Sequence, residues 1–187
     1  MDGQIVGRQH TSDIPALAQW VRAQAPGVVA IDAPCRWSRG GGRRLAEQQI
    51  SRAGTACFAT PVQEKSGIPF YEWMHNGMAL YAALSVPGGG FRLFDGIWPL
   101  AQPVLVETFP QAVACALSGQ VVRARDKATV RPALLARLGM PVETLKGIDW
   151  IDATLCALAA QALARGEHFG FGDVEEGFIV VPRGDWP

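Results

Sequence analysis

The chain has 187 residues and is 49% hydrophobic, enough for one domain with a buried core. Seventeen basic and seventeen acidic residues cancel, which excludes a global field pulling the chain onto nucleic acid or membrane and leaves only local ones. Cys35, Cys57, Cys115 and Cys156 form no C-x-x-C pair, which argues against a zinc module or redox motif. With no signal peptide and no apolar run long enough for a bilayer, the expectation is a cytoplasmic protein without a membrane partner.

Asp2-Gly3 is a favoured two-residue hairpin turn, and residues 4–9 after it read as a short strand. Ser12 or Asp13 then caps a helix with Pro15 in its first turn and Leu17, Trp20 and Val21 on its apolar face, ended by Gly27. Residues 28–31 make a buried strand, apolar without alternation as parallel strands are. A glycine-rich loop over 34–42 leads into a helix over 43–53. The loop is not a P-loop, because the pattern's lysine is absent. Residues 58–69 are irregular and 71–84 helical, with Trp73, Gly77 and Tyr81 roughly on one side; Trp73, Tyr81 and the other aromatics read as core rather than as base-stacking platforms.

Gly88-Gly89-Gly90 marks a turn, 91–94 a short strand and 104–107 a second apolar strand. Helices follow over 110–117, over 126–138 (with Pro132 as an alternative start) and over 149–165, the last with a core stripe of Ile151, Leu155, Leu158 and Ala162. Residues 178–181 read as a closing strand. This alternation predicts an α/β domain spanning 1–187.

Four acids stand at element ends. Asp32 closes Val-Val-Ala-Ile-Asp-Ala-Pro, Glu107 closes Pro-Val-Leu-Val-Glu, and Asp149 and Asp152 open the last helix. The spacing of that pair puts like charges on one helix face, which repel unless a cation lies between them. Converging acids of this kind select Mg²⁺ or Mn²⁺, with Asp32, Asp149 and Asp152 as ligands and Glu107 as ligand or orienting group. Each also has a bland reading, as a turn residue or helix cap. Two basic stretches offer phosphate contacts: Arg43 in one, and Lys127 with Arg131 in the other, the last two sharing a helix face. Their alternative role is a solvated surface. His10, His75 and His168 have no metal-ligand or triad spacing.

The order of these segments resembles the family called domain of unknown function 429 (DUF 429). The matching pieces are Val28 to Pro34, Arg43-Arg44-Leu45-Ala46-Glu47, Thr60-Pro61, Val106-Glu107-Thr108-Phe109-Pro110, Arg131 ahead of Leu134-Leu135, and Asp149-Trp150-Ile151-Asp152-Ala153. The resemblance implies a ribonuclease H-like mixed sheet, three antiparallel strands continued by two parallel ones, flanked by helices. It implies a metal-dependent nuclease or phosphodiesterase acting on nucleic acid or a nucleotide. It also implies an acid on a first, central strand, for which nothing before Asp32 supplies a glycine-x-aspartate match. The expectation is therefore that the N-terminal strands are missing, a segment of roughly 15–25 residues. The alternative is a non-catalytic member that binds a nucleotide or a protein.

Overall fold

The computed structural model describes residues 4–85 and 90–186. The Asp2-Gly3 turn, and Gly88 and Gly89 of the glycine turn, lie outside the described residues. In chain order the elements are α1 (Ile14–Gln24), β1 (Val28–Ile31), α2 (Leu45–Arg52), α3 (Glu72–Leu84), β2 (Arg92–Leu93), β3 (Val104–Glu107), α4 (Pro110–Ser118), α5 (Lys127–Arg137), α6 (Ile148–Arg165), β4 (His168–Asp173) and β5 (Gly177–Pro182).

The strands form one mixed five-stranded sheet in the order β1-β3-β5-β4, with the short β2 also paired to β3. β1, β2 and β5 run parallel to β3, and β4 is antiparallel to β5. Side chains alternate between the two faces of the sheet. Val29, Ile31 and Leu105 pack with Ala18 and Val21 of α1 and Tyr81 and Leu84 of α3. Val28, Ala30, Val104, Val106 and Val180 pack with Leu163 of α6. A third cluster joins α2, α4, α5 and α6 around Ile50, Val113, Leu135, Leu155 and Ile179. All four residues of β3 are buried, so its unbroken Val-Leu-Val-Glu run is that of a strand covered on both faces.

Most expected helices are present with small shifts in their ends. Asp13 caps α1 by accepting from the Ala16 N–H at 3.0 Å, though the helix ends at Ala25, in a left-handed conformation, rather than at Gly27. α5 runs through Pro132 without restarting. Residues 4–9 are not a strand: they join no sheet ladder, and the segment is tied down by Arg8, whose Nη1 donates to the Thr144 carbonyl at 2.6 Å. β4 was not expected, because Gly170 and Gly172 interrupt the alternation of a strand. It forms because its backbone zips to β5 from His168↔Pro182 to Asp173↔Gly177. The described residues contain this single antiparallel pair in place of three antiparallel strands. Among them no helix is long and apolar enough to cross a membrane.

Candidate functional site

Parallel strands β1 and β3 end together. Ile31 pairs with Glu107, and the Thr108 N–H donates to the Ile31 carbonyl at 3.0 Å, so Asp32 leaves the sheet beside Glu107 at the carboxyl edge. Open α/β sheets bind ligands at that edge. The chain after Asp32 is held closely by α3. A Cβ on Gly77 would stand 2.1 Å from Ala33 Cβ, and the buried Tyr81 hydroxyl donates to the Ala33 carbonyl at 3.3 Å. Here Gly77 serves close approach, not a special backbone conformation.

Glu107 is buried and fully engaged. Arg44 grips it in bidentate fashion, Nη2 to Oε1 at 2.6 Å and Nη1 to Oε2 at 2.8 Å, and the Cys35 N–H donates to Oε2 at 2.9 Å. The Arg44 Nε also donates to Glu47 Oε1 at 2.8 Å. Glu47 accepts in turn from the Arg44 N–H and from the N–H and hydroxyl of Thr60. One guanidinium therefore satisfies two carboxylates in the interior, a geometry in which removing either partner strands a buried charge. Burial alone would lower the Arg44 pKa, but Glu107 and Glu47 outweigh it and hold the side chain charged. Burial pushes the thiols of Cys35 and Cys57 up, the latter to about 12, so neither is a ready nucleophile.

Asp152 lies one turn inside α6, whose N-cap is Gly147 rather than Asp149. The Arg131 Nη1 donates to Asp152 Oδ1, and Nη2 donates to Gln111 Oε1 at 2.8 Å. Gln111 continues to the Val122 carbonyl at 2.6 Å. The cation relieving the acidic pair is thus Arg131 from α5, at Asp152. Arg131 is buried, which makes it a strut between α4, α5 and α6 rather than a surface phosphate contact. Asp149 is exposed, and among the described residues it has no hydrogen-bond or ion-pair partner.

Asp32 is likewise free: among the described residues no side-chain hydrogen bond or ion pair involves it. It is solvent-facing yet set in a concave site, and its pKa is raised from 3.8 to about 7. Loss of hydration is the main cause. The charges of Asp152 and Glu107 add to it, and Arg131 and Lys127 oppose it. Asp32, Asp152 and Glu107 thus share one electrostatic neighbourhood. Among the described residues, however, no group of three His, Cys, Asp or Glu side chains is arranged to hold a metal ion.

A cleft of about 220 Å³ opens beside Asp32, floored by Arg44, Glu47 and Glu107 and walled by Phe58 and Trp73. Lys127 and Arg43 are exposed. Lys127 acts electrostatically on Asp32, and Arg43 on Cys57 in the cleft wall. Arg44, Glu47 and Thr60 carry the interior of the site without having stood out as functional in sequence. The available signal was the Arg-x-x-Glu spacing at a helix start, where a Glu reaches back to a backbone N–H.

No curated protein and no solved structure matches this chain. Residues 6–176 match the family model described as protein of unknown function (DUF429), and with most of its length so covered the chain belongs to the DUF429 family.

Proposed function

We propose that the chain is a divalent-metal-dependent phosphodiester hydrolase of ribonuclease H-like fold, acting on nucleic acid or a nucleotide. The observation that carries this reading is Asp32: an unpartnered carboxylate at a strand's carboxyl end, within the electrostatic reach of Asp152 and Glu107, with its pKa raised to about 7. Lost hydration, with the charges of Asp152 and Glu107 added to it, disfavours the bare carboxylate, and either a proton or a cation relieves it. Hard oxygen donors suit Mg²⁺ or Mn²⁺, and Mg²⁺ is commonly held by one or two carboxylates, the remaining positions going to water and phosphate oxygens. Asp32 and Asp152 fit that role; Asp149 is the weaker third ligand, since no contact ties it to them. A cation there supplies an activated water and charge neutralisation at a phosphoryl oxygen.

The chain's own residues do the rest. Lys127 and Arg43 are exposed and would attract a phosphodiester. Arg131 orients Asp152. Glu107 is a positioning residue, because its oxygens are taken up by Arg44 and by the Cys35 N–H that fixes the loop after Asp32. A ribonuclease H-like sheet would set a further acid-bearing strand against β1, which among the described residues pairs on one side only. Four free cysteines fit a reducing cytoplasm.

Calorimetric titration with Mn²⁺, beside cleavage of labelled oligonucleotides, tests this. Binding in the parent that is lost in Asp32→Asn and in Asp152→Asn is the expected result. No binding by the parent at millimolar Mn²⁺ sinks the hydrolase. The second reading, a non-catalytic binding protein, draws on the engagement of two of the four acids by Arg44 and Arg131. It predicts nucleotide or protein binding that is indifferent to metal.

A further inference from the structure

Aromatic side chains in a domain of this size ordinarily bury most of their surface. Phe58 and Phe70 do not, being 61% and 53% exposed, and Trp73 keeps 39% of its surface open. They also touch one another. Phe58 meets Phe70 edge-on with ring centres 5.8 Å apart and Trp73 at 6.3 Å, and Phe70 meets Tyr71 at 5.1 Å. Ile68, 54% exposed, extends the patch. Phe58 and Trp73 are at the same time walls of the cleft that Asp32 and Glu107 line. The aromatic patch is thus continuous with the candidate site.

We propose that this patch is a stacking platform for the unpaired bases of single-stranded nucleic acid, which it delivers to Asp32. The proposal rests on the hydrolase reading for what happens at Asp32, but not for binding. Three observations select this occupant. Exposed ring faces beside a mainly apolar cleft that also holds Asp32, Arg44 and Glu107 suit flat apolar bases with a charged backbone, and stacking tolerates any base sequence. A cleft of about 220 Å³ is below the roughly 300–1,000 Å³ of ordinary small-molecule pockets, so it takes one nucleotide of a strand and not a duplex. The backbone's charge is met by Arg43 and Lys127, exposed cations that act on cleft residues. Glu64 and Glu72, exposed near the aromatic segment, outnumber Lys65 there and leave it net negative, so the bases and not a basic field carry the affinity. About two phosphate contacts would give a slope of log affinity against log salt near −1.4, at about 0.7 per contact for a single strand.

The test uses the full chain in EDTA, which removes metal from the question. A fluorescein-labelled oligothymidylate of about 20 nucleotides is compared with an abasic strand of equal length and with a duplex. The expected result is binding of the oligothymidylate at least about tenfold tighter than the abasic strand or the duplex. Phe58→Leu and Trp73→Leu, which keep apolar bulk but lose the ring face, should abolish that preference at unchanged melting temperature. Equal affinity for the abasic strand overturns the proposal, as does full retention of the preference in both leucine variants. So does sedimentation of the parent as a dimer that ignores the oligonucleotide and dissociates in Phe58→Leu, which makes the patch a self-association surface. Asp32→Asn should keep the preference in EDTA. Failure of Mn²⁺ to bind thus removes the hydrolase alone, and failure of the base preference removes the platform alone.

Discussion

A carboxyl group whose pKa rises on folding, as that of Asp32 does from 3.8 to about 7, holds its proton more tightly in the folded chain than in the unfolded one. Between those two values the folded state binds more protons, so stability falls as pH rises through the window. The penalty is absent below pH 3.8 and complete above pH 7. Asp32→Asn removes it. The variant should melt above the parent at pH 8, with the gap closing toward pH 4.5. Because Asp32 is exposed, solvent screening discounts the effect to about 1 kcal/mol, or roughly 2–4 °C for a domain of this size. Mn²⁺ at pH 8 should raise the parent's melting temperature and leave the variant's unchanged. Arg44 gives the opposite case, a charge that stability depends on. Arg44→Met strands Glu47 and Glu107 in the interior, and a loss of about 3–5 kcal/mol is expected. A lowered urea midpoint at unchanged slope checks it. A midpoint within error of the parent would mean that water reaches these carboxylates.

Between elements, the closest approach near the site is that of α3 to the loop after β1, where Gly77 meets Ala33. Gly77→Ala gains about 1 kcal/mol in helix propensity but forces two methyl groups together, an overpacking worth about 1–3 kcal/mol. The balance is a destabilised protein whose Asp32 is displaced. Ala33→Gly in the same chain removes the clash, so the double variant should recover both stability and Mn²⁺ affinity. Recovery of neither would mean that the contact is not what places Asp32. The glycine was legible in sequence as one side of a helix, but its function was not, since a close approach belongs to two segments far apart in the chain. The same distinction runs through the site. Asp32, Glu107, Asp149 and Asp152 could be read from strand and helix ends, because acids at such positions break an apolar pattern. That Glu107 belongs to Arg44 and Asp152 to Arg131 is decided by tertiary packing, as is the exposure of Phe58 and Trp73. Strand β4 escaped sequence reading because its glycines mask the two-residue period that pairing alone enforces.

Across the whole molecule, protection should be graded about β3. Its four residues are buried, β1 lies along one edge, β2 and β5 share the other, and its side chains enter the clusters on both faces of the sheet. Exposing a β3 amide therefore requires parting the sheet and both helical layers, which is close to global unfolding. α4, buried from Pro110 to Ala116, belongs to the same unit. β1 and β4 each have one hydrogen-bonded neighbour among the described residues, so amides directed away from that neighbour lack a sheet acceptor. Residues 4–9 have no regular backbone pairing. Amide hydrogen exchange should rank β3 and α4 slowest, with a common opening energy equal to the unfolding free energy from urea. Alternate amides of β1 and β4 should exchange faster, and residues 4–9 fastest. If the unpaired amides of β1 were as slow as those of β3, the open edge would be covered in solution. Adding oligothymidylate should slow exchange around Phe58 and Trp73 and leave the β3 limit in place, which separates binding at the aromatic wall from general stabilisation of the fold.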